Sequence, residues 1–251
     1  MSAVETVPSW LATRRQAAAE RFAAAPRPDD SEEVWRYSRI DDVDFDAFAA
    51  VGSPTSVIEV IDSFGAATVT IRDGWVTAID RTDALGNATV HTLVEHPDAE
   101  ALYASVRGDA GDGHEAVAEL HDSTVGDPVV IDVPRGVHVS APIVIDTYTD
   151  VEGGLTSPHT IIRAAAGSSV TVLERRRSGA ANQLVVPAVE IDAAPDSRVG
   201  YLVVQQLGRN TVCLEQQSSK ADQQAHVTTA VAAFGGSYAR TRANFALVGR
   251  G

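Results

Sequence analysis

Residues 160 to 175 read TIIRAAAGSSVTVLER: two short apolar runs joined by small and turn-forming residues. The same arrangement recurs downstream and upstream of it. Arg135-Gly136 precedes Val137, Gly167-Ser168 precedes Val170, Asp196-Ser197 precedes Val199, and Gln224-Ala225 precedes Val227. Turn positions 136, 167, 197 and 225 are thus 31, 30 and 28 residues apart. A fixed period with degenerate sequence is the signature of a solenoid, in which each coil buries its apolar face by stacking on the next.

The whole stretch from residue 128 consists of such strand-like runs. They are PVVIDV, VHVSAPIVID, TIIRAA, SVTVLER, LVVPAVEID, RVGYLVVQQ, TVCLEQ, AHVTTAVAAF and a terminal NFALVG, with no helix of convincing length between them. A mainly β fold built on a parallel β-helix follows. The alternative, a β-sandwich, would place turn signals every 8 to 12 residues or so, and this stretch has no two-residue Asn-Gly or Asp-Gly hairpin turns.

The first half of the chain is organised differently. PSWLATRRQAAAERFAAAP, residues 8 to 26, predicts an amphipathic helix with Leu11, Ala18 and Phe22 on one face, Ser9 as N-cap and Pro26 as a stop. The acidic segment that follows, residues 27 to 48, carries Trp35, Tyr37, Ile40, Val43, Phe45 and Phe48 as its large apolar groups and reads as an extended arm lying on something larger. Residues 56 to 80 alternate with a period near two around Asp73-Gly74, which predicts a small antiparallel sheet. HPDAEALYASVRG and GHEAVAELHDS predict two short helices on either side of the GDAGDG break. The expected division is therefore a helical and small-sheet region over 1–127 and a β-helix core over 128–251, incomplete at its C-terminal end.

Composition excludes several classes of function. A net charge of −14, with a single lysine at Lys220, disfavours nucleic acid as a partner. No apolar run approaches the roughly 18 residues of a membrane span. The N-terminus lacks the basic and apolar regions of a secretory signal, so a cytoplasmic location is expected. One cysteine, Cys213, allows no internal disulfide.

No self-contained catalytic constellation emerges. There is no G-x-S-x-G elbow, no Walker pattern and no G-x-G-x-x-G. Cys213 sits among strand residues, as a small core side chain does. The histidines at 91, 96, 114, 121, 138, 159 and 226 form no HxxxH or HxH pair, and His138 alternates with Val137 and Val139, as a solvated residue would. A carbohydrate-active β-helix would need paired carboxylates, for which Asp146, Asp150, Glu152, Glu190 and Asp192 are the candidates. ERRRSG, residues 174 to 179, is the densest basic cluster and reads as a solvated loop, with anion binding as the functional alternative.

Several segments together resemble the SufB/SufD family of iron-sulfur cluster assembly proteins, and more closely its SufD branch. They are PSWLATRRQAAAERF, EEVWRYSRIDDVDF, VVIDVPRGVHVSAPIVI, PHTIIRAAAGSSVTVLER, VVPAVEIDAAPDSRVGYLVVQQ and GGSYARTRANFALVGRG, in order along nearly the whole chain. The resemblance implies a right-handed parallel β-helix behind an N-terminal helical region, in a scaffold subunit that is not itself an enzyme. It also implies a SufB-like partner subunit, a SufC-like ABC ATPase, and a nascent iron-sulfur cluster, with flavin as a further candidate, in the complete complex rather than on this chain alone. A homodimer through β-helix edges is the other association expected. The functional cysteines of SufB-like chains have no counterpart in ERRRSGAANQ, which favours SufD. No catalytic, cofactor-binding or metal-binding residue is assigned to any position by the resemblance. The last strand, ending at Val248, is expected to be covered by a second copy or another chain, or else to fray.

Overall fold

A computed structural model of the chain describes residues 7–56, 65–110 and 116–249. Parts of the predicted 56–80 sheet and of the helix predicted from GHEAVAELHDS, at 57–64 and 113–115, lie outside the described residues. The architecture is a parallel β-solenoid of about four turns behind an N-terminal helical region.

The strands are, in chain order, β1 (Ala49–Ala50), β2 (Ala67–Arg72), β3 (Trp75–Arg81), β4 (Thr89–Thr92), β5 (Val129–Val133), β6 (Ile143–Thr149), β7 (Gly154–Thr156), β8 (His159–Ala164), β9 (Ser169–Ser178), β10 (Gln183–Val185), β11 (Ala188–Ala193), β12 (Arg198–Gln206), β13 (Thr211–Ala221), β14 (His226–Ala233) and β15 (Tyr238–Leu247). They alternate between two sheets. The first runs β1-β7-β10-β13-β11-β8-β5-β4, with β15 also on β13; the second runs β14-β12-β9-β6-β2-β3. All pairings between successive coils are parallel.

The turn that the sequence repeats is a left-handed backbone position. Gly136, Gly167, Asp196 and Gln224 have φ of 69°, 69°, 60° and 56°, and the last two fall one residue before the predicted positions. Each turn hydrogen-bonds to the next, from Gly136 N to Ala166 O, Gly167 N to Pro195 O and Asp196 N to Gln223 O. Prolines set another regularity. Pro158 and Pro187 interrupt two coils of the first sheet, splitting β7 from β8 and β10 from β11; Glu215 takes the equivalent place in the third coil, and β13 runs through unbroken. Proline has no N–H to give the ladder, so the break follows from the residue.

In-register stacking makes columns. Ile131, Ile162 and Ile191 stack in the first sheet, and Ile143, Val172 and Tyr201 in the second; all lie in one buried cluster between the sheets. The first sheet is buried on its outer face too, where Val130 and Ile161 pack with Leu11, Leu102 and Tyr103 of the helical region. The second sheet alternates buried and more exposed positions along β9 and β12, as a sheet with one solvated face does.

The helical region comprises α1 (Ser9–Ala24), α2 (Ala99–Leu102), α3 (Ser105–Ala110) and α4 (Ala116–Thr124). Leu11 and Ala18 are buried as predicted, and α1 is tied to α4 by an Arg21–Glu119 ion pair at 2.8 Å. Ser9 is not the N-cap: Pro8 occupies that place without a side-chain cap, and Ser9 is the first helical residue. Proline's fixed φ suits entry into a helix, which relieves the serine of that role. The acidic arm lies across the coils, with Trp35, Ile40 and Phe45 buried against Leu155, Leu184, Val186 and Leu214. Asp73-Gly74 forms the predicted hairpin between β2 and β3, with φ of 51° and 84°. β2 also pairs in parallel with β6 and so extends the second sheet of the solenoid. Among the described residues, no helix is long and apolar enough to cross a membrane.

Candidate functional site

Period-two alternation carries polar side chains inward as readily as apolar ones, and the solenoid uses this from β9 onward. Glu174 and Arg176 on β9, Tyr201 on β12, and Cys213, Glu215 and Gln217 on β13 are all buried. Arg176 Nε meets Glu174 Oε1 at 2.9 Å and its second nitrogen meets Glu215 Oε1 at 3.3 Å. Tyr201 donates its hydroxyl to Glu174. Gln217 Nε2 and Thr241 Oγ1 of β15 donate to the two oxygens of Glu215, at 3.0 and 2.8 Å. Burial opposes charge on Arg176, but Glu174 and Glu215 outweigh it and hold the guanidinium far above its ordinary range. The same burial pushes the Cys213 thiol up to about 12, so it stays protonated and is no nucleophile at neutral pH.

ERRRSG is therefore not a solvated loop. Residues 174 to 178 continue β9, with Glu174 and Arg176 facing the interior and Arg177 bonded to Asp146 one coil earlier, at 2.8 and 2.9 Å. The strand persists because Arg176 and Arg177 find carboxylates on other strands, Glu215 across the interior and Asp146 one coil earlier.

A second polar cluster joins the solenoid to the helices. Glu190 on β11 accepts the amides of Ala104, Val106 and Arg107 at the start of α3, at 3.0, 2.9 and 3.4 Å. His159 Nε2 stands 3.0 Å from Glu190 Oε1, His159 Nδ1 stands 3.2 Å from His121 Nε2, and His121 Nδ1 stands 2.6 Å from the Val186 carbonyl. A carbonyl can only accept, so His121 carries its proton on Nδ1 and offers a bare Nε2. The chain of bonds is then complete when His159 carries both ring protons and Glu190 is ionised. Burial, followed by repulsion from His159 and Arg107, lowers His121 to about 3. Burial would raise the Glu190 carboxyl, but the His159 hydrogen bond and the charges of His159 and Arg107 prevail and hold it below the ordinary range. Arg107 completes the cluster with an ion pair to Asp122 at 2.8 Å.

The carboxylates singled out in the sequence do not converge on an exposed groove. Asp146 is buried between Arg72 and Arg177, and Glu190 is buried as just described. Asp150 and Glu152 accept the amides of Ala181 and Asn182, and Asp192 stands opposite Arg163 and Lys220 in the strand register. His138 and His226 are exposed, whereas His159, which carries no signal in the sequence, is central to a buried network. Reading polar residues at the coil period would have found it, since His159 and Glu190 are 31 residues apart, as are Asp146 and Arg177.

The third feature is the last coil. β14 and β15 each pair on one edge, with β12 and β13, and have no strand on the other edge among the described residues. Phe245 and Leu247 continue the inward columns of Ile191 and Ala193 through Ser219 and Ala221, yet they are 49% and 81% exposed, and Phe234 is 74% exposed. The N-terminal arm meets the first half of β15, where Arg240 lies 3.9 Å over the Trp35 ring.

Comparison with known proteins addresses this same part of the chain. No curated protein matches it. Residues 147–251 match the family model described as SUF system FeS cluster assembly, SufBD core domain. That segment starts within β6 and contains the charged interior and the last coil. The order of coils and the columns agree with that match: residues 147–251 are similar to the SufBD core domain of the SUF iron-sulfur cluster assembly system.

Proposed function

We propose that the chain is a SufD-like scaffold subunit of the SUF machinery, without turnover chemistry of its own, acting with a SufB-like subunit and a SufC-like ATPase. The match of residues 147–251 to the SufBD core carries the reading. The nascent cluster, and any flavin, belongs to the complete complex as cargo or cofactor there. The SufD-like branch is favoured by the lack of a cysteine in ERRRSGAANQ and by the protonated, buried state of Cys213.

The edges of β14 and β15, which carry no strand among the described residues, suit a further parallel strand, and a partner's β-helix is the occupant proposed. Parallel strand edges offer unpaired N–H and C=O groups, and Phe245 and Leu247 offer apolar surface at the end of the core. Co-expression with SufB-like and SufC-like partners tests the proposal. The expected result is co-purification that is lost on Phe245→Asp with Leu247→Asp. A wild-type chain that associates with neither partner would overturn it, and a chain that forms only a homodimer would reassign the edge to self-association.

A further inference from the structure

His91, on β4, lies opposite Val130 of β5 in the antiparallel register, and Asp132 is two residues along β5 on the same outer face. The chain then makes a 3-10 turn over Leu93–Glu95, closed by His96 N to Leu93 O, which returns His96 to the same place. His96 Nε2 stands 3.0 Å and His91 Nε2 stands 3.7 Å from one oxygen, Asp132 Oδ2. One ligand atom from each of the three residues lies within 4.8 Å of the others. The other carboxylate oxygen is held by Arg163 at 3.2 Å. Arg163 is itself fixed between Asp132 and Asp192 in the strand register.

We propose that His91 Nε2, His96 Nε2 and Asp132 Oδ2 form a three-ligand site for a divalent first-row transition ion of the zinc type, with its remaining coordination open to solvent. Ligand atoms around a tetrahedral ion with bonds of about 2.0–2.1 Å stand about 3.3 Å apart; the two nitrogen-oxygen distances straddle that value. His91 Nε2 is buried and has no hydrogen-bond partner, an omission that a bound ion would repair. Two imidazoles and a carboxylate suit zinc, cobalt or ferrous iron better than calcium or magnesium. Arg163 plays the part of an outer-shell group that orients the ligating carboxylate. All three side chains remain partly exposed at their edges, so an ion can enter and keep a water ligand.

Loading requires one local change. The Asp98 amide donates to His96 Nδ1 at 3.0 Å, which places the ring proton on Nε2 in the metal-free protein. A neutral imidazole bound through Nε2 carries its proton on Nδ1 instead, so the ion displaces the Asp98 hydrogen bond. That exchange supplies a readout specific to this site.

The test is titration of the chelator-treated full chain with Co²⁺, followed by Zn²⁺ competition. A single equivalent should bind with the intense visible bands of a four- or five-coordinate ion, and His91→Gln or Asp132→Asn should weaken binding by more than the ~10–100-fold that outer-shell changes cause. His138→Gln with His226→Gln should leave binding unchanged. The amide signal of Asp98 should shift on loading, and Zn²⁺ should raise the Tm of the wild type but not of D132N. The variants' urea midpoints, measured without metal, establish that they fold. Absence of these bands in the wild type, or Co²⁺ binding unaffected by both H91Q and D132N, would overturn the proposal.

Discussion

The two sides of the solenoid interior stack different chemistry. On the side next to the left-handed turns the first sheet contributes Ile131, Ile162 and Ile191, which are fully buried between the sheets. One coil later the same column holds Ser219, and then Phe245, half exposed. In the second sheet the column through Val69 and Ile145 meets Glu174, and Arg176 and Glu215 join it. The side next to the left-handed turns is thus held by apolar burial, which needs only shape. The opposite side, from Glu174 and Arg176 on β9 across to Glu215 on β13, is held by a charged network whose members must all be present, because a buried ion that loses its partner is strongly destabilising.

Each side can be tested by one substitution. Arg176→Met leaves Glu174 and Glu215 buried together and should cost about 4 kcal/mol in urea unfolding; a loss under about 1 kcal/mol would mean that this side does not depend on its charges. Ile162→Ala should cost about 3 kcal/mol through the cavity it leaves.

A pH profile sharpens the boundary with the helical layer. His121 is lowered to about 3 in the folded chain, against about 6.5 when unfolded. The unfolded chain therefore binds more protons between these values, and stability falls as pH drops from about 6.5 toward 3, by on the order of a few kcal/mol. Glu190 acts in the same direction at lower pH: its folded value is depressed, so its contribution is present above about 4.3 and is lost as pH falls below that. Urea midpoints of His121→Gln across pH 4 to 7 should show a flatter slope than the wild type. An unchanged slope would remove His121 from the account. The smallest effect is at the open edge, where Leu247→Asp should change stability by no more than about 0.5 kcal/mol while weakening association.

Much of the solenoid was legible because its turns impose a backbone demand. Gly136 and Gly167 mark left-handed positions that glycine adopts freely, and the period they set predicted the coils. Asp196 and Gln224 hold the same conformation without glycine, so the predicted turns there were displaced by a residue. Other features needed contacts that local pattern does not contain. β2 joins the solenoid through β6, from Ala67 to Ile143 and onward, and nothing between those segments announces the pairing. The terminal strand begins at Tyr238, well before the predicted NFALVG, because Arg240 and Arg242 alternate with inward positions along it. The charged interior is hidden for the same reason: ERRR reads as solvated until the partners of Arg176 and Arg177 on other strands, Glu215 and Asp146, are known. His91 and His96 carried no metal signal, since the third ligand comes from a different strand.

The decisive measurement is hydrogen exchange on β14 and β15, with and without a purified SufB-like subunit. The amides of Tyr238–Leu247 and His226–Ala233 that face the unpaired edges should become protected in the complex, while the amides of β5 and β8 exchange as before. Protection confined to the N-terminal arm or the helical layer, with both edges unchanged, would contradict the proposed docking at these edges.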